Sequence, residues 1–297
     1  MFMNSNCEVY ANHNSHQSSI YAYLIFRLIP RIKEHDKILD VGCGDGKSTN
    51  LLYKTLLTTN NDEFKGSVLG IDILLPMVEY SRKHYCSSKN SLAFAKIDIA
   101  SEDAVGNILS TIKEGLIDHV VSSCCFQWIE DQPKALSNLL KVLNPKTGSI
   151  NLIFFYRIIE SLNYATDVIL TNEALSPYLK KLKEYNERFL LPWRRSWMIE
   201  PDPINSYKRI MIKSGCKEDK IKIEQLDEIK YSLQPSSEEA VNYVKGFFPD
   251  VLAEIDKVGL KEEFFKQFVE YILNYNEKHY GDKLKFCTPL MFVQYSL

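Results

Sequence analysis

The residues most able to do chemistry lie in ILDVGCGDG, residues 38–46. Glycines fall at Gly42, Gly44 and Gly46, directly after a run of apolar residues and after Asp40. A residue without a Cβ lets a backbone turn sharply and lets a ligand approach the main chain closely. A dinucleotide loop of the G-x-G-x-x-G type would need its third glycine at position 47, where the chain has Lys47. The spacing therefore fits a pyrophosphate poorly. Two further acids close later apolar runs: Asp72 in GIDI and Asp98 in AKIDIA. A carboxylate at the first position can accept a pair of ribose hydroxyls. At the second, a short acceptor can reach an adenine amino group while Ile99 covers the ring. A lone acid in such a place is commonly a turn or cap residue, but three acids closing three successive runs point to one crevice.

Those residues need a scaffold, and the chain supplies the pattern of one. Five apolar runs, at 37–41, 66–72, 91–98, 118–123 and 148–156, alternate with helix-length stretches at 46–58, 75–85, 101–114 and 132–143. Near-continuous apolar runs are strands buried on both faces, and their alternation with helices predicts βαβ units in a parallel sheet. Segments 219–233 and 283–297 alternate as two closing strands. The fold class expected is thus α/β, a doubly wound, mostly parallel sheet of seven strands. In a single domain over 1–297, residues 1–36 form an N-terminal helical segment and 37–156 the core. The helical excess in 157–218 and 234–282 has no place in a bare sheet. It is expected to form a lid at the strand ends, where open α/β sheets take ligands.

Composition bounds the partners. Among 297 residues the net charge is −2, without the basic excess that a phosphate backbone calls for, so no nucleic acid is expected. The 45% hydrophobic and 25% charged residues are those of a folded globular chain. The first residues lack a basic stretch followed by an apolar one, and 20–30 is interrupted by Arg27. The expectation is a cytoplasmic protein with no signal peptide and no membrane span, a monomer or homodimer. Its seven cysteines have no clamp spacing and are expected as free thiols, and its histidines have no ligand spacing, so no metal is expected.

The turn, with its preceding acid, resembles the first motif of class I S-adenosylmethionine-dependent methyltransferases. More closely, GIDILLPMVEYSRKHY (70–85), FQWIEDQPKALSNLLKVLNPKTG (126–148) and KFCTPLMFVQY (285–295) resemble the insect juvenile hormone acid and farnesoic acid O-methyltransferases. The likeness is good over 37–156 and loose over 157–282. It implies S-adenosylmethionine as cofactor, held by Asp40, Gly42, Gly44, Gly46, Asp72, Ile73, Asp98, Ile99 and Ser123. It also implies Gln17, seven residues after Tyr10, and Trp128 as the pair that binds the carboxylate of a small hydrophobic acid substrate. Aromatic residues Phe126, Phe154, Phe155, Tyr156, Trp193 and Trp197 are candidates for the substrate pocket. Core packing is the alternative for each.

Methyl ester formation suits these residues, because a carboxylate with a pKa of about 4 to 5 is already ionised at neutral pH and needs no general base. Two alternatives stay open. One is another acceptor on the same fold, such as a phenol, a quinone carbon or a short acid. The other is a non-catalytic binding protein with this fold.

Overall fold

The computed structural model describes residues 7–60, 64–86, 91–112, 115–156, 164–165, 168, 171, 196–226, 230–232, 257, 259–281, 285–287 and 290–297. The elements in chain order are α1 (Cys7–His13), α2 (Ser15–Leu28), β1 (Lys37–Val41), α3 (Lys47–Thr59), β2 (Ser67–Asp72), α4 (Leu75–Tyr85), β3 (Leu92–Lys96), α5 (Ala104–Ile112), β4 (His119–Ser123), α6 (Gln132–Val142), β5 (Ser149–Phe155), α7 (Pro203–Lys213), β6 (Ile221–Leu226), β7 (Lys230–Ser232), α8 (Lys261–Tyr280), β8 (Lys285–Cys287) and β9 (Leu290–Ser296). Short 3-10 turns among the described residues are Ile29–Arg31, Phe126–Trp128, Ser196–Met198 and Glu218–Lys220.

Seven strands form one sheet in the order β3, β2, β1, β4, β5, β9, β6. The first five are parallel to their neighbours. The chain lays β1 in the middle, steps outward through β2 to β3, then returns to the other side of β1 for β4. The crevice between the ends of β1 and β4 is thus the point where strand order reverses, the ligand site of doubly wound sheets. Leu39, Val120, Val121, Ile150 and Leu152 are fully buried at the centre, and Ala135, Leu136, Leu139 and Val142 of α6 are buried too. Burying each larger apolar side chain contributes roughly 1.5–3 kcal/mol.

Local chemistry sets the helix starts. Asp131 caps α6 by accepting from Lys134 N at 2.9 Å, with Pro133 in the first turn. Asp202 caps α7 in the same way through Asn205 N at 3.0 Å. Helix α7 packs against α6. That corrects the placement of its residues in a lid running over 157–218: the Tyr207 and Met211 face is fully buried, so the helix covers the sheet.

The chain divides into two compact units. The sheet unit comprises Ser15–Phe154, Glu200–Gln225 and Met291–Leu297, and the second comprises Met1–Asn14, Phe155–Ile199 and Leu226–Leu290. In the second, β7 and β8 form a separate antiparallel pair, with Tyr231 opposite Phe286. Of the two closing segments read from sequence, 219–233 contributes β6 to the seven-stranded sheet and β7 to the pair, and 283–297 contributes β9 to the first and β8 to the second. In α8 of the same unit, Phe264, Phe268 and Ile272 recur at four-residue spacing and are buried. The helix ends at Gly281, φ +67°. No helix among the described residues is long and apolar enough to cross a membrane.

Candidate cofactor and substrate site

The site is built where β1 runs out. Gly42 and Cys43 both donate to the Ile71 carbonyl of β2, at 2.8 and 3.0 Å, which holds the first half of the turn against the neighbouring strand. Gly42, Gly44 and Gly46 have φ of 78°, 55° and 79°. A Cβ on Gly42 would lie 2.3 Å from Cys125 Sγ, and one on Gly46 2.7 Å from Ser81 Cβ. These two glycines are required by the protein's own packing as well as by backbone conformation. Ser81 of α4 donates to the Gly44 carbonyl at 2.9 Å, and Ser122 of β4 to the Val41 carbonyl at 2.7 Å.

Asp72 reaches across to this turn. Its Oδ2 accepts from Gly44 N at 3.0 Å and its Oδ1 from Leu74 N at 2.9 Å. Desolvation pushes its carboxyl above the ordinary range, against the backbone hydrogen bonds that lower it. Asp40 is 1% exposed. Its Oδ2 accepts from Tyr21 Oη at 2.8 Å and from Thr49 Oγ1 at 2.6 Å, while Oδ1 is buried without a partner. Burial pushes this carboxyl up to about 6; the bonds from Thr49 and Tyr21 pull it down, and the charge of Asp72 adds to the rise. With Asp45, 2% exposed, three carboxylates surround the turn. Such a set repels a pyrophosphate and suits a ligand that brings positive charge.

The structure thus brings Asp40, Gly42, Gly44, Gly46 and Asp72 together. Ile73 follows Asp72 and presents an apolar side chain 40% exposed, and Leu75, two residues on, is 43% exposed. Asp98 lies two residues beyond the end of β3 and is exposed, and its Oδ1 accepts from Ala100 N at 2.9 Å, a turn bond. Ile99 is buried. Asn138 of α6 fixes this segment by donating to the Ile99 and Ser101 carbonyls, both at 2.9 Å. Ser123 is half-buried at the end of β4. Nothing in the sequence marks Tyr21, Thr49, Ser81 or Asn138, because hydroxyls and amides on helices carry no signal until their partners are known.

Gln17 stands near the start of α2, a helix packed on α3 and β4. Its Oε1 is buried and has no hydrogen-bond partner. Trp128 is half-buried in the 3-10 turn after β4, and its Nε1–H donates to the Cys124 carbonyl at 3.1 Å. The turn at Cys124, φ +53°, carries the carbonyl that accepts this bond. Phe126 and Phe154, two of the pocket candidates, take the core-packing alternative in this structure. Both are fully buried, 6.2 Å apart between ring centroids, with Tyr207 of α7 at 5.0 Å from Phe154. They fill the core under α7. In the second unit Phe155, Tyr156 and Trp197 are buried. Trp193 lies outside the described residues.

Comparison with known proteins agrees with this geometry. Residues 32–153 match a family described as a methyltransferase domain. The juvenile hormone acid O-methyltransferase of Bombyx mori is 29% identical over 180 residues, 61% of this chain and 56% of that one, so the match spans just over half of that relative's length. The protein of the same name from Drosophila melanogaster is 24% identical over 260 residues, 87% of this chain and 78% of that one. Among solved structures, loganic acid methyltransferase with SAH aligns over 99% of this chain and 97% of its own, with a TM-score of 0.60 at 10% identity. The fold is that of the class I methyltransferases.

Proposed function

We propose that this protein, a methyltransferase by its domain and its fold, forms the methyl ester of a hydrophobic carboxylic acid, with S-adenosylmethionine as cofactor. The observation that carries the acceptor reading is the Gln17 amide oxygen Oε1, buried and unpartnered on a helix packed against β4. A buried polar atom left unsatisfied costs free energy until a ligand arrives. Amide oxygen and nitrogen are interchangeable by a flip about the last torsion, so the same group can turn an N–H to a carboxylate. Two relatives named for an acid acceptor, and a structural neighbour that is also an acid methyltransferase, support the same class.

The cofactor fits the residues present. Asp40 has a buried oxygen without a partner, and the Gly42–Gly46 turn opens the backbone to a ligand. Asp40 and the turn would hold its amino-acid end, Asp72 its ribose hydroxyls, and Ile73, Asp98, Ile99 and Ser123 its base. When bound, the cofactor supplies a methyl group on a positively charged sulfur. The chain's own work is then to position the acid and exclude water from it. Gln17 orients the carboxylate, and Trp128, its N–H held by Cys124, gives an apolar wall. No proton need be removed, because the acid is ionised at neutral pH. His119 is buried at the start of β4, bonded to Asp36 at 2.9 Å and Ser149 at 2.8 Å, away from the turn.

The test is transfer of a tritiated methyl group from the cofactor to a panel of fatty and terpenoid acids, farnesoic and juvenile hormone acid among them, beside phenols and quinones. Base-labile methyl esters of the acids are expected. Methylation of a phenol or quinone with every acid untouched would overturn the acceptor and leave the cofactor standing.

A further inference from the structure

Tyr21 and Thr49 place both of their hydroxyls on the same oxygen of Asp40. Tyr21 comes from α2 and is 4% exposed; Thr49 comes from α3 and is fully buried. Two donors on Oδ2 fix the rotation of the carboxylate and leave Oδ1 as the unpartnered atom. Tyr21 also stands four residues after Gln17, one helical turn along the same face of α2. One phenol therefore touches the acid at the end of β1 and holds the helix from which Gln17 projects.

We infer that Tyr21 is a positioning residue: its hydroxyl turns the Asp40 carboxylate so that Oδ1 is left for a cationic ligand group, and the same bond fixes the turn of α2 that carries Gln17. The inference rests on the cofactor reading above, in which the cation is the ammonium of S-adenosylmethionine. The groups that face Asp40 are Tyr21 from α2, Thr49 from α3, Asp72 at the end of β2, Cys43 in the turn and Cys125 after β4. Burial keeps both thiols neutral by pushing them up. None of these groups carries a positive charge, so a ligand cation is the natural partner of the free oxygen. Tyr21 is one of the two donors that pull the Asp40 carboxyl down towards about 6. Without it, the acid would hold its proton at higher pH and the ligand cation would meet a neutral group.

The experiment is calorimetric titration of the full chain with S-adenosylmethionine across about pH 5.5 to 7.5, comparing wild type with Tyr21→Phe. Wild-type affinity should fall on the acid side of about pH 6. In the variant the midpoint of this limb should move up by about one pH unit, so that affinity is near wild type at pH 7.5 and about threefold weaker at pH 6.5. A tyrosine that only packs would weaken binding equally at every pH, and that result overturns the inference. Asp40→Asn should erase the limb; a limb that persists there has another origin and overturns it as well. Should Tyr21→Phe fail to fold, Thr49→Val removes the companion donor from the same oxygen and must give the same upward shift. Wild type that binds the cofactor with no acid limb sinks the Tyr21 inference alone. Wild type that binds none at any pH sinks the cofactor reading on which it rests.

Discussion

The backbone N–H of Gly44 donates to Asp72 Oδ2 over 3.0 Å, although 28 residues separate the two. The acid at the end of β2 thereby pins the middle of the turn that follows β1. Its other oxygen takes Leu74 N at 2.9 Å. Each carboxylate oxygen has a second lone pair for a ligand hydroxyl, so Asp72 can shape the turn and hold a ribose at once. Asp72→Asn must turn its NH2 towards one of these two donors. It should lower cofactor affinity by tenfold or more, on the order of 1.5–3 kcal/mol. Calorimetry giving wild-type affinity would remove Asp72 from the site.

The three glycines should fail in different ways. Gly42→Ala would drive a Cβ to 2.3 Å from Cys125 Sγ, and Gly46→Ala to 2.7 Å from Ser81 Cβ, both at positive φ. These variants should lose stability, by about 1–3 kcal/mol each, read as a lower denaturation midpoint. Gly44→Val puts a β-branched residue at φ +55° and sets a side chain where the ligand must pass. It should keep the fold and lose the cofactor; normal cofactor affinity in that variant would count against the turn as the binding loop.

Asp40 gives a pH dependence whose sign follows from its raised carboxyl, about 6 against an ordinary 3.8. Between these values the folded chain keeps a proton that the unfolded chain has released. The stability of the ligand-free protein should therefore fall as pH rises through that window and stay lower above it. Asp40→Asn removes the buried charge. It should raise Tm at about pH 7.5 by a few degrees and change it little at about pH 4. The same variant should bind the cofactor poorly. A Tm difference that is equal at both pH values would contradict this account of Asp40.

Trp128→Phe takes away the donor to the Cys124 carbonyl. Gln127 Nε2 still donates there at 2.9 Å, so the loss of stability should be small, about 1 kcal/mol. If Trp128 is a wall for the acid, turnover should fall more than cofactor affinity. An unchanged kcat would place the indole outside the acceptor site.

Asn138→Ala would free the carbonyls of Ile99 and Ser101 and loosen the segment that bears Asp98. Cofactor affinity should drop by about three- to tenfold, while binding of ribose lacking the base stays unchanged in competition assays. An equal effect on both would assign Asn138 to general stability.

The sequence by itself determined the sheet and its turn. Apolar runs at 37–41 and 66–72 read as strands buried on both faces, and G-x-G-x-G after Asp40 as a close-approach turn, because these are local patterns of burial and of missing Cβ atoms. The acid at Asp72 was legible for the same reason, as the last residue of its run. What tertiary structure alone decided were partners distant in the chain. Nothing near Trp128 foretells that a positive φ at Cys124 claims its N–H. Nothing in 203–213 distinguishes a helix that covers the sheet from one that lies over a ligand, since both have one apolar face; burial of Tyr207 and Met211 beside α6 settles it. Phe126 and Phe154 looked alike as wall or core until packing enclosed them. Tyr21 and Thr49 became part of the site only when α2 and α3 delivered two hydroxyls to one oxygen of Asp40. A hydrogen bond between distant elements is fixed by packing geometry, which sequence spacing does not encode.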